Sequence, residues 1–508
     1  MAYGLFATTS TAALISITFA GVALADVTAD DVWQNWQDLG KASNLTISTT
    51  KSERIGDTLV LTDVTLTMAS PEINIDSVMG EVRLQETADG RVTITQPASY
   101  SMQVNMQPSG AEAIAFALDV NQDGLIYTAS GDPDALNYDI SAADVSVKMS
   151  GFQVDGAAKD LAVDFSITDL VATYLLQKSD LLNITSTYSG DTLRFALSGT
   201  DDLNGTKFKM SGQNQGIAAA SESSMLNSVV NIDLPTMLLN GFSATTAFTY
   251  NSGAMKIETV DENNSTMDID TTSEGGKFNM AIDRNRIAYG LAANGVTLKA
   301  SGSAIPLPEI TAAYDEAALD LLVPLAKSGA PQDFTFSTRL TGLTVSDFLW
   351  SMIDPGATLP RDPATLIVET KGKASPLVDL LNEAQLEEAL IAGAPLQING
   401  LEITALQLTV GGAELKGEGA LTFDNTQPPV LGGVAPMPVG KVNLTLDGAN
   451  GLLGKLQALG LVEPQMVMGF GLFSGMLAKP GPTPDSLITE IELQPGGEIL
   501  ANGNPLPF

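Results

Sequence analysis

The stretch Leu396–Asp424, LQINGLEITALQLTVGGAELKGEGALTFD, is written in the grammar of β-hairpins. Asn399-Gly400 supplies a pair that tolerates the positive φ of a two-residue turn, and Gly411-Gly412 supplies a second. After that second turn Ala413, Leu415, Leu421 and Phe423 fall on one parity, with Gly417 and Gly419 between them. Glu414, Lys416, Glu418, Thr422 and Asp424 fall on the other, so a strand here has one dry and one wet face. In the preceding strand the apolar parity slips between Ile403 and Leu406, which predicts a β-bulge.

The same grammar extends outward. From Leu45 to about Val345 strand follows strand, as in Leu193/Phe195/Leu197, Phe208/Met210 between Lys207 and Lys209, and Phe278/Met280/Ile282. Ten Asn-Gly or Asp-Gly pairs begin at Asn204, Asn240, Asn294, Asn399, Asn450, Asn502, Asp89, Asp123, Asp155 and Asp447. Asn450-Gly451 reads as a helix opening and the others as turns. No exact repeat period appears, which disfavours propellers and fixed-length solenoids. Short strands joined by tight turns make antiparallel neighbours.

Helices are few. Asp26–Lys41 is capped by Thr28, carries Asp30 and Asp31 in its first turn, and lines up Val32, Trp36 and Leu39. Trp33 and Trp36 are expected to staple it onto the sheet rather than to anchor it in a membrane interface. Ser346–Ile353 is a short helix ended by Asp354-Pro355. Pro376–Ala392 is read as a helix capped by Ser375, stopped by Gly393 and packed through Leu377, Leu380, Leu381, Ala384 and Leu390. Gly451–Leu459 and Gln465–Leu477 form a helical pair, the second apolar on every side and expected to be buried. The expected fold is mainly β (α+β): a long antiparallel meander or wrapped sheet with a few short helices packed on it.

Composition removes whole classes of function. The 508 residues include 59 acidic and 25 basic side chains, a net charge of −34, and such a surface repels nucleic acid. Neither cysteine nor histidine is present. Thiol catalysis, disulfides, Cys/His zinc sites and His-based triads are therefore excluded, and with them the usual general base near neutral pH. The chain is expected to be no enzyme and to use no cofactor.

Ala13–Ala25, ALISITFAGVALA, is an apolar run ending in small residues, the pattern of a secretory signal. Residues 1–25 are thus expected to be a cleaved signal peptide, residues 26–365 a β-rich region with an opening helix, and residues 366–508 a helix and hairpin region continuous with the same sheet. No later stretch holds about 18 consecutive apolar residues, so no stable membrane span is expected after signal removal.

Three stretches carry a resemblance. They are DVTADDVWQNWQDLG near the start, FLWSMIDPGATLPRDPATLIVETKG in the centre and ITEIELQPGGEILANGNPLP at the end. Together they resemble domain-of-unknown-function family 2125, a group of alphaproteobacterial envelope proteins. Trp350, Asp354-Pro355 and Leu359-Pro360-Arg361-Asp362-Pro363 are the most specific part. The ending is also similar in style to AsmA-like envelope proteins. The resemblance implies a periplasmic location and transfers no catalytic residue.

Candidate chemistry is sparse. Asp119, Asn121, Asp123 and Gly124 match the first half of a calcium loop, but Ser130 stands where the bidentate Glu belongs, and the flanks read as strands. The segment is expected to be a polar hairpin turn, with no metal site. Ser48 and Lys51 fit S-x-x-K, and Lys327-Ser328-Gly329 imitates K-T-G, yet Ser48 sits in a strand-like run rather than at a helix start. Gly469, Gly471 and Gly475 miss the dinucleotide spacing and are read as helix packing. Arg361-Asp362 is read as a local salt bridge fixing a loop. Carboxylate pairs for sugar hydrolysis remain available, though 6% aromatic residues is thin for stacking on sugars.

No catalytic residue and no specific ligand-binding residue is therefore assigned. The expected function is a non-enzymatic periplasmic envelope protein that binds or transfers lipid or another apolar ligand in a β-sheet groove. The alternative is a structural or assembly factor acting through contacts with an envelope protein.

Overall fold

Every strand pairing described below is antiparallel in the computed structural model, which describes residues 27–70, 72–226, 233–393, 395–427 and 436–506. The expected signal peptide lies outside them. The fold is mainly β, with six short helices among the described residues: α1 (Ala29–Ala42), α2 (Leu234–Leu239), α3 (Asp347–Ile353), α4 (Glu383–Ala392), α5 (Ala449–Ala458) and α6 (Pro464–Leu477).

Contacts divide the chain into two units. The first holds the described residues up to Asp283 together with Ala300–Glu309; the second holds Arg284–Lys299 and the described residues from Ile310 onward. In the first unit each long strand pairs with its neighbour in sequence. Ala135–Val154 pairs with Leu161–Lys178, that strand with Leu181–Thr200, and that in turn with Lys207–Leu226. Shorter strands share one long partner end to end, as Ile114–Asp123 and Ile126–Asp132 do along Ala135–Val154.

The core of this unit is built under α1. Thr28 accepts from the Asp31 backbone N–H, and the Asp31 carboxylate accepts from that of Thr28, so the helix start is closed by a reciprocal pair. Val32 is buried against a cluster including Leu61, Val82, Leu84, Leu136 and Tyr138. Trp36 stacks on Tyr127 at 6.1 Å between ring centroids, and the Tyr138 hydroxyl donates to Asn35 Oδ1 at 2.8 Å. Burial pushes the Tyr127 and Tyr138 hydroxyls well above the ordinary phenol range. The two tryptophans are staples, as their spacing predicts.

In the second unit the longer strands run as a serial meander. Ile310–Pro324, Gln332–Val345, Ala364–Pro376, Leu396–Val410, Ala413–Phe423, Pro438–Asp447 and Ser486–Leu493 pair each with the next. The sheet is continuous across residue 365, since Ala364–Pro376 has a partner on each side.

Several local expectations are corrected. Gly411-Gly412 is a turn with φ of 61° and 83°, and the bulge between Ile403 and Leu406 is present. Asn399-Gly400, however, lies inside the strand Leu396–Val410, at a register shift opposite Lys373/Ala374. Asn399 Oδ1 there accepts from the Ser375 hydroxyl. Ser375 and Pro376 therefore end a strand, where a missing N–H is tolerated, and do not start a helix. The helix begins only at Glu383, capped by Asn382. It does not pack through a leucine stripe: Leu390 is 62% exposed. Asp123-Gly124 is likewise a kink between two strands on one partner and not a hairpin. The helix α2, capped by Asp233, was not foreseen in a segment read as continuous strand.

Candidate ligand-binding surface

Directly paired residues in an antiparallel ladder place their side chains on the same face of the sheet. Reading the pairings of the second unit across the strands therefore gives rows. One row is Ala317, Leu340, Leu366, Leu408, Leu415, Leu446 and Leu487, seven strands wide. A second runs Leu319, Thr338, Val368, Leu406, Gly417, Leu444, Thr489, and a third Leu321, Phe336, Thr370, Ile403, Gly419, Val442, Ile491. The opposite face carries charge. Arg339 bridges Glu369, Lys371 bridges Glu402, Lys416 bridges Glu414, and Lys441 bridges Glu490 and Glu492.

The apolar rows are not a closed core. No residue of the leucine row is buried, and Leu366 and Leu408 remain 39% and 42% exposed. Leu61 of the first unit, in a core that is covered, is 0% exposed. A second sheet packed face to face would have closed this surface. Glycines on this face give the larger side chains room. Leu444 reaches to 2.7 Å of where a Gly417 Cβ would stand, and the Phe334 ring to 2.5 Å of that of Gly372.

The first unit repeats the arrangement. Val120, Val147, Phe165 and Phe195 form one row, and Leu197, Met210, Ile257 and Ile269 another. Val147 and Tyr138 differ in parity along one strand, so this apolar face is the one α1 does not cover. The α1 face becomes polar farther along. There a concave region of about 720 Å³ is lined by residues including Asp144, Lys148, Asp164, Arg194, Lys256 and Asp270. Lys148 and Asp164 pair at 3.1 Å. Cations and carboxylates are balanced there, so the region has no marked preference for either sign.

The second unit's sheet is finished at one end by α3, α5 and α6. Leu452 of α5 packs on Gly411, and Pro360, from the loop after α3, packs on Gly412. The Asp354 carboxylate is fully buried and accepts from the Leu359 N–H at 2.6 Å and the Thr358 hydroxyl at 2.9 Å. Burial acts to raise its pKa, but these bonds, with Arg361 nearby, hold it below the usual carboxylate range. Asp485 does similar work from farther off. It accepts from the Gly451 N–H at 2.8 Å and the Asn450 side chain at 2.7 Å, capping α5. Burial opposes and these bonds outweigh it, so its pKa is also lowered.

The residues singled out in the sequence scatter. Asp119 and Asn121 lie on a strand facing Lys148 and Ser146, and Asp119 accepts from the Ser150 hydroxyl. Among the described residues no cluster of three or more acidic side chains is placed to hold a metal ion. The Ser48 hydroxyl is bonded to that of Thr65, and Lys51 pairs with Glu53. Lys327-Ser328-Gly329 is a loop of the second unit. Arg361 bridges Asp347 at the start of α3 rather than its neighbour Asp362. Gly469, Gly471 and Gly475 have open space where a Cβ would stand, so they are not helix-packing positions. Nor is α6 buried: none of its residues is, and Met466, Met468, Leu472, Phe473 and Met476 are exposed. Apolarity on every side signalled burial but does not by itself supply a covering partner.

Fold and surface together define a mainly β protein whose sheet has an apolar face left uncovered by the described residues. Residues 258–502 match the model of a family described as an uncharacterized protein conserved in bacteria, DUF2125. The central stretch falls within the match, the closing stretch does so as far as Asn502, and the opening helix falls outside it. No curated protein and no solved structure matches the chain. No described helix is long and apolar enough to cross a membrane.

Proposed function

We propose that this chain is a non-enzymatic binding or carrier protein for an elongated apolar ligand such as an acyl chain. The ligand lies along the open face of the β-sheet. The observation that carries the reading is the seven-strand leucine row, apolar throughout and nowhere buried. Apolar area of this extent is costly in water, at about 25 cal/mol per Å², and marks an interaction surface. The opposite face is lined with ion pairs, so the asymmetry is a property of the whole sheet. The secretory pattern of Ala13–Ala25 supports action in the periplasm.

The alternative, an assembly factor acting through protein contacts, draws on the same open face. A fluorescent acyl probe separates the two. The purified chain should bind the probe, and Leu366→Gln with Leu408→Gln should weaken binding by about tenfold or more, equivalent to roughly 1.4 kcal/mol. Both side chains are partly exposed, so the melting temperature should stay within a few degrees of the parent, as for surface substitutions. No probe binding by the parent chain, or binding indifferent to the pair, would leave the assembly reading in place.

A further inference from the structure

Helix α6 is open on a broad side. Val467, Phe470, Ser474 and Leu477 are half-buried and form one stripe, while Met466, Met468, Leu472, Phe473 and Met476 face outward. At 3.6 residues per turn these five span an arc of roughly 160°. Leu472 is 70% exposed, and the three glycines of the helix meet nothing within 4 Å. The only hydroxyl on the helix, that of Ser474, is turned back onto the Gly471 carbonyl at 3.2 Å.

Charge sets this region apart. Across Ala449–Pro480 only Lys455, Glu463 and Lys479 are charged, two basic against one acidic, in a chain of net charge −34. The α6 segment itself carries none. A helix of 14 residues is about 21 Å long, too short to span a hydrocarbon core of about 30 Å and suited to lying in the headgroup boundary. The open arc presents flexible methionines and carries one hydrogen-bonding side chain, Gln465 in its first turn, whereas a protein interface sets its apolar centre in a polar rim.

The arc also lies at the end of the apolar rows. Leu446 is followed by Asp447, Gly448 and then α5. The strand Lys479–Pro480, directly after α6, pairs Pro480 with Leu487, the last member of the leucine row. At the same end of the sheet α3 exposes Phe348, Met352 and Ile353.

We propose that α6 inserts its open arc into the surface of an uncharged phospholipid bilayer, at the end of the sheet where α3 is also exposed. The leucine row then opens where acyl chains enter or leave. This rests on the carrier reading for its purpose, but not for the membrane contact itself.

The test is flotation of the full mature chain with phosphatidylcholine vesicles, at 0.1 M and at 0.5 M salt. The chain should co-float equally at both, because apolar insertion is not screened. Leu472→Glu with Phe473→Glu should abolish flotation yet still take up the acyl probe from solution. A separate Phe473→Trp variant should be quenched by bromine-labelled lipid. Failure of the parent chain to float, flotation unchanged by the glutamate pair, or a dimer that this pair converts to monomers would each overturn the proposal. Flotation without probe uptake by any variant would sustain the membrane contact while removing the carrier reading.

Discussion

Helices α1 and α6 have the same length, 14 residues, and opposite fates. In α1 the charges segregate, with Asp30, Asp31 and Asp38 outward and Val32 fully buried, and the sheet beneath supplies tyrosines and aliphatic side chains to meet it. In α6 there is no charge to choose a side, one narrow stripe touches protein and the rest stays open. The anchoring differs too. Thr28 and Asp31 close the start of α1 locally, whereas the hairpin of α5 and α6 is held by Asp485, 34 residues beyond Gly451. A helix with polar segregation brings its own address. A helix without it takes its position from whatever caps and surrounds it.

The largest expected effect bears on the covered helix. Leu61→Ala, beneath α1, should cost about 2–5 kcal/mol in chemical denaturation, as for buried leucines generally. A cost near zero would mean that α1 is not seated as described.

Asp485→Ala should come next, at about 0.5–2 kcal/mol at pH 7, the range for a lost helix cap. Its sign with pH is fixed by the lowered pKa. The carboxylate's contribution is complete above the ordinary aspartate range and is lost as pH falls through the lowered folded value. The gap in melting temperature between parent and variant should therefore narrow in acid; a gap that widened would contradict the remote cap. Thr28→Ala should cost about 1 kcal/mol, by loss of the local one. Smallest of all, Leu472→Ala should change stability by no more than about 0.5 kcal/mol, and the contrast with Leu61→Ala is the sharpest statement of the difference between the helices.

Much of the architecture was legible. Alternation along Ala413–Phe423, the Gly411-Gly412 turn and the slip between Ile403 and Leu406 are local features, and they stand as read. Asn-Gly and Asp-Gly pairs were less reliable, because bulges and hairpins both make use of residues that tolerate unusual backbone. Asp155-Gly156 and Asn502-Gly503 are turns with both φ positive, while Asn294-Gly295 lies inside the strand Arg286–Ser301 with only Gly295 positive. The rows could not be read at all. Matching Thr370 to Ile403 requires a register shift after Glu369, and one residue of slip moves every side chain to the other face. The cap by Asp485 was invisible for a similar reason, since nothing local pairs it with α5.

The serial pairing of the second unit bears on how this chain acquires its structure. Most strands meet the one made just before, so most ring closures are short; the long one joins Pro438–Asp447 to Ser486–Leu493 across α5 and α6. Folding of such a ladder proceeds by growth from any hairpin already formed, with each added strand stabilised by its predecessor, as in repeat proteins. The sheet thus lengthens in the order in which its sequence is delivered. Its growing edge stays open until the next strand arrives, and during that interval an exposed ladder is the place where pairing with another chain competes.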